Sequence, residues 1–235
     1  MCGRFTALTY EQVAEVVADM NERANARMAG TTPPPDPDYD WPLTRPQAVP
    51  GSKAWAIVPD AAGSTLPSPF LPVQLTWGFP VSWKNGLVFN TRLESALQDS
   101  GMWSGLLDAG RCVVPVREYF EPHATEKVRS PRTGHAVKRQ YRFRLADSFV
   151  TYLGGVQADG RFSIVTVPPS RQMAPIHDRM PLTLGRDEAA AWLTAGYDDI
   201  RARADRLADR NGIRLDAAPE TSDPPLGGGQ QMSLF

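Results

Sequence analysis

The chain has 235 residues, of which 42% are hydrophobic and 22% charged, and a formal net charge of -1 at pH 7. This length and apolar fraction predict one globular domain with its own core, and the near-zero charge argues against coating of nucleic acid by bulk electrostatic attraction. The absence of a long apolar run excludes a membrane-spanning helix. The two cysteines are too few for a disulfide framework, and no apolar signal region starts the sequence, so a cytoplasmic protein is expected. The three histidines and two cysteines do not have metal-ligand spacing, so no metal and no cofactor is expected.

The first predicted element is a helix that begins near Thr9 and ends before Gly30. Thr9 and Gln12 have the spacing of a capping box. Apolar residues then recur at helical spacing at Val13, Val16, Val17 and Met20. The next segment, residues 31–50, contains seven prolines and no useful period, so it is interpreted as a surface loop.

Short segments rich in β-branched and aromatic residues follow, and proline, glycine, aspartate and asparagine separate them. The segments that predict strands are 53–58, 73–79, 87–90, 111–116, 140–145, 149–153 and 162–167. We therefore expect an α+β fold in which a curved, mostly antiparallel sheet, or a partly closed barrel, is flanked by helices.

The C-terminal part predicts two helices, over 187–194 and 198–211, and Gly212 is a suitable stop for the second. Residues 216–229 are rich in alanine, proline, aspartate and glycine, which is typical of a flexible linker. The predicted organisation is thus a domain over 2–215, a linker over 216–229 and a terminal peptide over 230–235.

Cys2 is the first candidate for chemistry. If Met1 is removed, Cys2 carries an α-amine and a thiol on adjacent carbons, with reference pKa values of about 7.7–8.0 and 8.5. Such a 1,2-aminothiol can form an imine with an aldehyde and then close a thiazolidine ring through sulfur. The alternative is that Cys2 is merely a small residue near a disordered end.

Three further polar residues lie in unusual settings. Asn90 follows an apolar strand, Glu121 follows two aromatic residues, and His177 precedes Met180-Pro181-Leu182. Histidine is suited to proton transfer near neutral pH, and a desolvated carboxylate has a raised proton affinity. Each residue alone can equally be structural: a satisfied histidine, a paired glutamate, or an asparagine that ends a strand.

Together these residues resemble the SRAP family of abasic-site processing proteins. The matching segments, in family order, are Met1-Cys2-Gly3-Arg4-Phe5, Trp77-Gly78-Phe79, Asn90-Thr91-Arg92-Leu93-Glu94, Arg111-Cys112-Val113-Val114-Pro115, Tyr119-Phe120-Glu121, residues 162–166, and Ile176-His177-Asp178-Arg179-Met180-Pro181. The resemblance covers roughly residues 2–195.

The resemblance implies the SRAP fold and a function in DNA damage. Family members trap the ring-opened aldehyde of an abasic site in single-stranded DNA as a thiazolidine crosslink, here through Cys2. Asn90, Glu121 and His177 occupy the family's active-site positions. The resemblance also implies removal of the initiator Met1, and AP-lyase activity or reversal of the crosslink.

A second set of residues is expected to contact DNA. By resemblance, Arg4, Arg92, Thr166 and Arg179 fall where the family contacts phosphates. From composition, Trp77 and Trp83 can stack on bases, although core packing is the alternative for both. The basic residues Lys127, Arg129, Arg132, Lys138, Arg139, Arg142 and Arg144 form either a solvated hairpin or a groove that faces DNA.

The sequence departs from the family pattern in three places. Residues 43–46 replace an Asn-Val-Ala-Pro-like segment, Arg117-Glu118 replaces an Asp-Gly turn, and Pro122 stands where a Trp is common. The shape of the DNA groove is therefore open, and Glu118 is a rival for the role of Glu121.

The terminal residues resemble the peptide with which bacterial proteins bind the sliding clamp. Gln231 would bond at the rim of the clamp's pocket, and Leu234 and Phe235 would fill its apolar groove; a glycine-rich linker before them suits a tethered peptide. An unremarkable disordered tail is the alternative.

Two rival functions remain at this point. A cysteine peptidase with an N-terminal nucleophile would use Cys2 and His177 on acyl groups, whereas a non-covalent single-stranded DNA-binding module would need neither. A monomer is expected, since no stripe for self-association is evident, and Cys112 is expected to be a buried apolar residue.

Overall fold

The computed structural model describes residues 2–41, 46–60, 69–83 and 85–220. The helices in these residues are α1 (Tyr10–Met28), α2 (Leu93–Ala96), α3 (Leu106–Ala109), α4 (Arg186–Thr194), α5 (Tyr197–Ala202) and α6 (Ala204–Ala208). The strands are β1 (Arg4–Ala7), β2 (Gln47–Ala48), β3 (Lys53–Pro59), β4 (Phe70–Trp77), β5 (Phe79–Pro80), β6 (Leu87–Val88), β7 (Asn90–Arg92), β8 (Arg111–Arg129), β9 (Ala136–Leu145), β10 (Thr151–Ala158), β11 (Arg161–Val167), β12 (Met180–Pro181), β13 (Thr183–Leu184) and β14 (Leu215–Pro219).

One large, curved, mostly antiparallel sheet dominates the fold, which confirms the predicted α+β class. The path β10-β11-β4-β3-β8 turns back on itself, because β8 also pairs with β10. Two links on this path are short: β11 meets β4 in parallel at two residue pairs, and β3 meets β8 at the single pair Ile57 and Val113. The sheet is therefore strongly curved without being a closed barrel.

The long strand β8 joins most of this architecture. It pairs with β10 through its first half, with β1 through the segment around Phe120, and with β9 along a hairpin. An irregularity between Pro122 and Lys127 shifts the register of that hairpin. The prediction of a strand over 111–116 was too short, because Glu118 and Glu121 are polar and yet buried in the sheet.

Helix α1 was predicted correctly. The side chain of Thr9 accepts a hydrogen bond from the backbone of Gln12, and the Gln12 side chain accepts one from the backbone of Thr9, so the capping box is present. The apolar face of α1 is buried, and it packs against β3 and β4. Trp192 of α4 donates a hydrogen bond to the carbonyl oxygen of Cys112, which is buried as expected.

Two predictions at the C-terminal end were wrong. The helix over 198–211 is two short helices, α5 and α6, separated at Arg203; α6 buries no residue, so no packing extends it. The start of the predicted linker at Asp216 is also wrong, because β14 includes Asp216 and pairs with β9 over its whole length. Residues 221–229 of that linker and the terminal peptide lie outside the described residues.

The proline-rich segment was predicted as a loop, and its described part contains one short strand, β2, which pairs with β1. None of the helices in the described part of the chain combines the length and apolar character that a membrane crossing needs.

Candidate active site

Cys2 lies immediately before β1 and is fully buried. Its Sγ lies 3.6 Å from the carbonyl oxygen of Arg4, to which it donates. Its own carbonyl oxygen accepts a hydrogen bond of 2.8 Å from Nδ2 of Asn90. Asn90 begins β7, which runs parallel to β11 and is fixed by pairing with Ile164. The sheet therefore positions the amide that holds the backbone of Cys2.

The other face of Asn90 offers an acceptor. Its Oδ1 is buried and has no hydrogen-bond partner among the described residues. A buried amide oxygen without a donor is costly, so an amine or hydroxyl group that enters the site would find a ready partner there.

Glu121 and His177 face each other beside Cys2. Glu121 is fully buried in β8, and its Oε2 lies 4.0 Å from Nε2 of His177. The loop that carries His177 is attached to the β8 hairpin by a hydrogen bond of 2.7 Å from the Ala124 amide to the Ile176 carbonyl. The backbone amide of Arg179 lies 3.1 Å from Nδ1 of His177 and orients the imidazole ring.

The site shifts the proton affinities of all three titratable groups. Burial raises the pKa of Glu121 to about 7 and lowers the pKa of His177 below its usual value. Burial, and then the Glu121 carboxylate, raise the pKa of the Cys2 thiol, which places Glu121 within electrostatic range of Cys2. Near neutral pH the site thus combines a protonated thiol, a neutral imidazole and a carboxyl group close to half ionisation, an arrangement suited to moving protons.

Glu118, the rival carboxylate, does not join this group. It lies three residues before Glu121 on the same strand, so the two side chains point to opposite faces of the sheet. It accepts a hydrogen bond from Thr6 and lies 3.7 Å from Arg142.

Arg179 and Thr166 lie next to each other beside His177. The Arg179 guanidinium donates to both carboxylate oxygens of Glu94, at 2.7 and 3.0 Å, and to the carbonyl oxygen of Thr166 at 2.7 Å. Although partial burial opposes the shift, these hydrogen bonds lower the pKa of Glu94. The Thr166 side chain is buried, so its hydroxyl faces the protein, whereas Arg92 on β7 is exposed. Glu94 stands in one of the matched segments, but nothing in the sequence indicated that it would pair with Arg179.

Arg4 is also held by a carboxylate. Its guanidinium makes two hydrogen bonds to Glu220, one of them 2.8 Å long, and a longer one of 3.4 Å to Gln47. Its Cζ lies over the ring of Phe120, 3.8 Å from the centroid. Sequence reasoning missed Glu220, because it lies in the segment interpreted as a linker.

The two tryptophans expected at DNA have different positions. Trp77 is wholly buried, stacks parallel to Phe162 and donates from Nε1 to the carbonyl of Phe89. A base cannot reach that ring, so the expectation that Trp77 contacts DNA is corrected to core packing. Trp83 is 68% exposed and remains available for stacking.

The basic stretch lies on the hairpin of β8 and β9. Three of its arginines are paired with carboxylates: Arg139 with Glu126, Arg142 with Glu118, and Arg144 with Asp216. In the described ranges, no three His, Cys, Asp or Glu side chains are arranged to hold a metal ion. Residues 43–45, in the segment that departs from the family pattern, lie outside the described residues. The same holds for Gln231, Leu234 and Phe235 of the terminal peptide.

Comparison with known proteins gives three kinds of match. A model of the family described as SOS response associated peptidase (SRAP) matches residues 1–219. A curated abasic site processing protein of Saccharomyces cerevisiae is 26% identical over 211 residues; the match covers 82% of this chain and 55% of the yeast protein. The chain thus spans only about half the length of that relative.

Solved structures share the fold. A phage-related protein of Bordetella bronchiseptica superposes with a TM-score of 0.60 at 16% identity, covering 94% of this chain and 95% of that one. A second protein of the same organism gives 0.54 at 20% identity, with 94% and 100% coverage. A protein of Bacteroides thetaiotaomicron gives 0.52 at 18% identity, with 74% and 76% coverage.

Proposed function

The chain belongs to the SRAP family, and from this membership and the geometry of the site we propose that it processes abasic sites in single-stranded DNA. Cys2 captures the ring-opened sugar aldehyde and forms a covalent DNA–protein crosslink. The name of the yeast relative, an abasic site processing protein, supports the same substrate. The observation that carries the proposal is the convergence of Cys2 with Asn90, Glu121 and His177 from four separate parts of the chain.

The covalent step begins at nitrogen. After Met1 is removed, the α-amine of Cys2 adds to the C1′ aldehyde, and the resulting carbinolamine loses one water to give an imine. The thiol then adds to the imine carbon while its proton passes to the imine nitrogen, which closes a thiazolidine. One water leaves in total, and no oxidant or reductant is needed.

Each neighbouring side chain has a role in moving these protons. Ionised Glu121 takes a proton from the α-ammonium group and so produces the nucleophile. His177 donates a proton to the sugar oxygen as the ring opens, or to the departing hydroxyl. Asn90 holds the Cys2 backbone with its NH₂ group, and its Oδ1 accepts from the sugar or the amine.

The raised pKa of the thiol favours this chemistry over that of a cysteine peptidase. A peptidase needs a thiolate, which enzymes produce by lowering the pKa of cysteine beside a cationic histidine. Here burial and Glu121 raise the pKa of Cys2, and burial lowers the pKa of His177. A protonated thiol suffices when the amine attacks first and sulfur adds to an imine.

The proposal also covers the contacts with DNA, further activities of the site and a partner protein. Arg92, Arg179 and Arg4 bind backbone phosphates, for which the arginine fork is suited, and Trp83 stacks on a base. The proposal also includes removal of Met1 before the amine reacts, and slow strand cleavage or reversal of the crosslink. The protein acts as a cytoplasmic monomer at replication forks, where its terminal residues Gln231, Leu234 and Phe235 bind the sliding clamp.

The test uses single-stranded DNA with one abasic site made from uracil. Mixing it with the protein should give a heat-stable band of lower mobility on a denaturing gel. Intact mass should show that the reactive protein lacks Met1, since a blocked amine cannot close the ring. The Cys2→Ala variant should form no such band.

Cys112→Ala provides the matched control, because Cys112 is the other cysteine of the chain and is buried away from this site beside α4. It should crosslink like the wild type. Turnover of peptides without a DNA adduct would instead support the peptidase, and equal, non-covalent binding of intact and abasic DNA would support the binding module.

A further inference from the structure

The pair formed by Arg4 and Glu220 has a specific position relative to the reactive residue. Arg4 is separated from Cys2 by one residue, and two residues of extended chain span at most about 7 Å. Its backbone carbonyl accepts from the Cys2 thiol. Arg4 lies on β1, opposite Phe120 of β8, which is the neighbour of Glu121. The Arg4 backbone is thus close to Cys2, while its guanidinium lies on the Phe120 face of β8 and is one of the groups proposed above to bind a phosphate of the DNA.

Glu220 occupies that guanidinium in the DNA-free protein. It takes two donors of Arg4 with its two carboxylate oxygens, and the Arg4 and Glu220 side chains are only 8% and 10% exposed. Carboxylate and phosphate present the same pair of oxygens to an arginine. Gln47 and the Phe120 ring hold the guanidinium in place. A phosphate can therefore replace the Glu220 carboxylate without a change in the conformation of the Arg4 side chain.

The end of β14, which leads into Glu220, is weakly held. Among the described strands β14 pairs with β9 alone, and Leu215 is its single buried residue. The Gln172 side chain bonds the amide and the carbonyl of Leu215, which fixes the start of β14 and not its end. Pro219 has no amide to donate, and beyond it the Glu220 amide donates to the Gln140 carbonyl at 2.8 Å. A segment with few buried apolar contacts and exposed backbone hydrogen bonds opens locally at low free-energy cost.

We infer that Glu220 is an internal competitor of DNA: its carboxylate occupies Arg4 in the free protein, and a backbone phosphate displaces it when the abasic strand binds. This inference rests on the proposed function and adds a regulatory element to it. The end of β14 must leave its position before Arg4 can bind the DNA strand. Any change that releases Glu220 raises the affinity for DNA.

The expected gain in DNA affinity follows from the fraction of molecules in which Arg4 is free. Apparent affinity is reduced by that fraction, so a contact that is closed nine times in ten weakens binding about tenfold. Removing the negative charge of Glu220 should recover this factor.

The experiment measures binding of single-stranded DNA that contains a tetrahydrofuran analogue of the abasic site, at one fixed salt concentration. The analogue has no aldehyde, so failure of this inference and failure of covalent capture are separate results. Glu220→Gln should bind about tenfold more tightly than the wild type. Equal or weaker binding would overturn the inference.

Asp216→Asn is the matched control. Asp216 lies on the same strand and also pairs with an arginine, Arg144, but that pair is exposed and does not involve Arg4. Its affinity should stay within about twofold of the wild type. A gain as large as that of Glu220→Gln would show that the loss of any negative charge near DNA is sufficient, and would overturn the specific role of Glu220.

A second measurement keeps the test independent of variants that fail to fold. Hydrogen exchange of the wild-type protein, with and without the tetrahydrofuran DNA, reports on the backbone amides of β14 and Glu220. Exchange there should become faster in the complex, as the segment leaves β9. Unchanged or slower exchange would contradict displacement.

Discussion

Glu121 is the residue in which burial and chemistry oppose each other most directly. Full burial raises its pKa to about 7, so at neutral pH it is ionised in about half of the molecules. A carboxylate with its usual pKa would be a weak base, whereas one near 7 matches the working pH. The same burial lowers the pKa of His177 and keeps the imidazole neutral, so it can exchange a proton with Glu121.

The pH dependence of crosslinking tests this role of Glu121. Under single-turnover conditions the rate should rise as the pH increases through about 7, because the ionised form accepts the proton of the α-ammonium group. Glu121→Gln should slow the reaction at pH 8 by about 10²-fold or more, a common loss for a general base. It should also lose the inflection near 7 and keep only that of the α-amine, at about 8.

Glu118→Gln is the control for this profile. Glu118 is a buried carboxylate of the same strand, but it faces Thr6 and Arg142 on the opposite side of the sheet. Its variant should keep the inflection near 7. If Glu121→Gln keeps that inflection as well, another group controls the proton transfer.

At the scale of elements, local patterns predicted more than tertiary placement did. The capping box at Thr9 and Gln12 fixed the start of α1, because both partners lie within one turn of the chain. The sequence predicted that Glu121 would be partly desolvated, because two aromatic residues precede it. The 4.0 Å approach of its carboxylate to His177 was not predictable, since it depends on the contact between Ala124 on the β8 hairpin and Ile176 on the loop before His177.

Two errors have the same physical origin. Trp77 was counted as a base-stacking residue because aromatic and cationic residues cluster near it, yet the ring packs against Phe5 and Phe162 in the core. Residues 216–219 were counted as linker because of their composition, yet β9 supplies a partner edge for them. Composition cannot report the neighbour that a distant segment provides.

The C-terminal peptide is an element whose role rests on sequence alone, so it has its own test. Replacing Leu234 and Phe235 by alanine should abolish binding to a purified bacterial sliding clamp, because these two side chains would fill the apolar groove. Crosslinking to abasic DNA in the absence of the clamp should remain at the wild-type rate. Binding can be measured by surface plasmon resonance with immobilised clamp.

Met232→Ala is the control within the same peptide, since Met232 is not one of the three residues assigned to the clamp. It should reduce clamp binding by no more than a few-fold. Unchanged affinity of the Leu234 and Phe235 double variant would rule out the proposed clamp peptide.

For the whole molecule, the site implies a cost in folding free energy. An unfolded chain would ionise Glu121 near its reference pKa of about 4.3, whereas the folded protein retains the proton up to about pH 7. Between these values the folded state binds more protons than the unfolded state, so stability falls as the pH rises through this window. The protein is thus destabilised at the pH at which its proposed base must be ionised, a common compromise between stability and activity.

Comparing the wild type with Glu121→Gln measures this cost. At pH 5 the variant should be more stable by only about 1 kcal/mol, because the folded carboxyl group is still protonated while that of the unfolded chain is already mostly ionised. At pH 8 the variant should be more stable by up to about 4 kcal/mol, the equivalent of the pKa difference at about 1.4 kcal/mol per unit. Urea denaturation at both pH values gives the two differences, with the m-value unchanged if the denatured states are alike.

The lowered pKa of His177 acts in the opposite direction, with stability lost as the pH falls through about 6.5, but it is present in both proteins and largely cancels. A stability difference that is the same at pH 5 and pH 8 would mean that the buried carboxyl group is not held protonated by the fold.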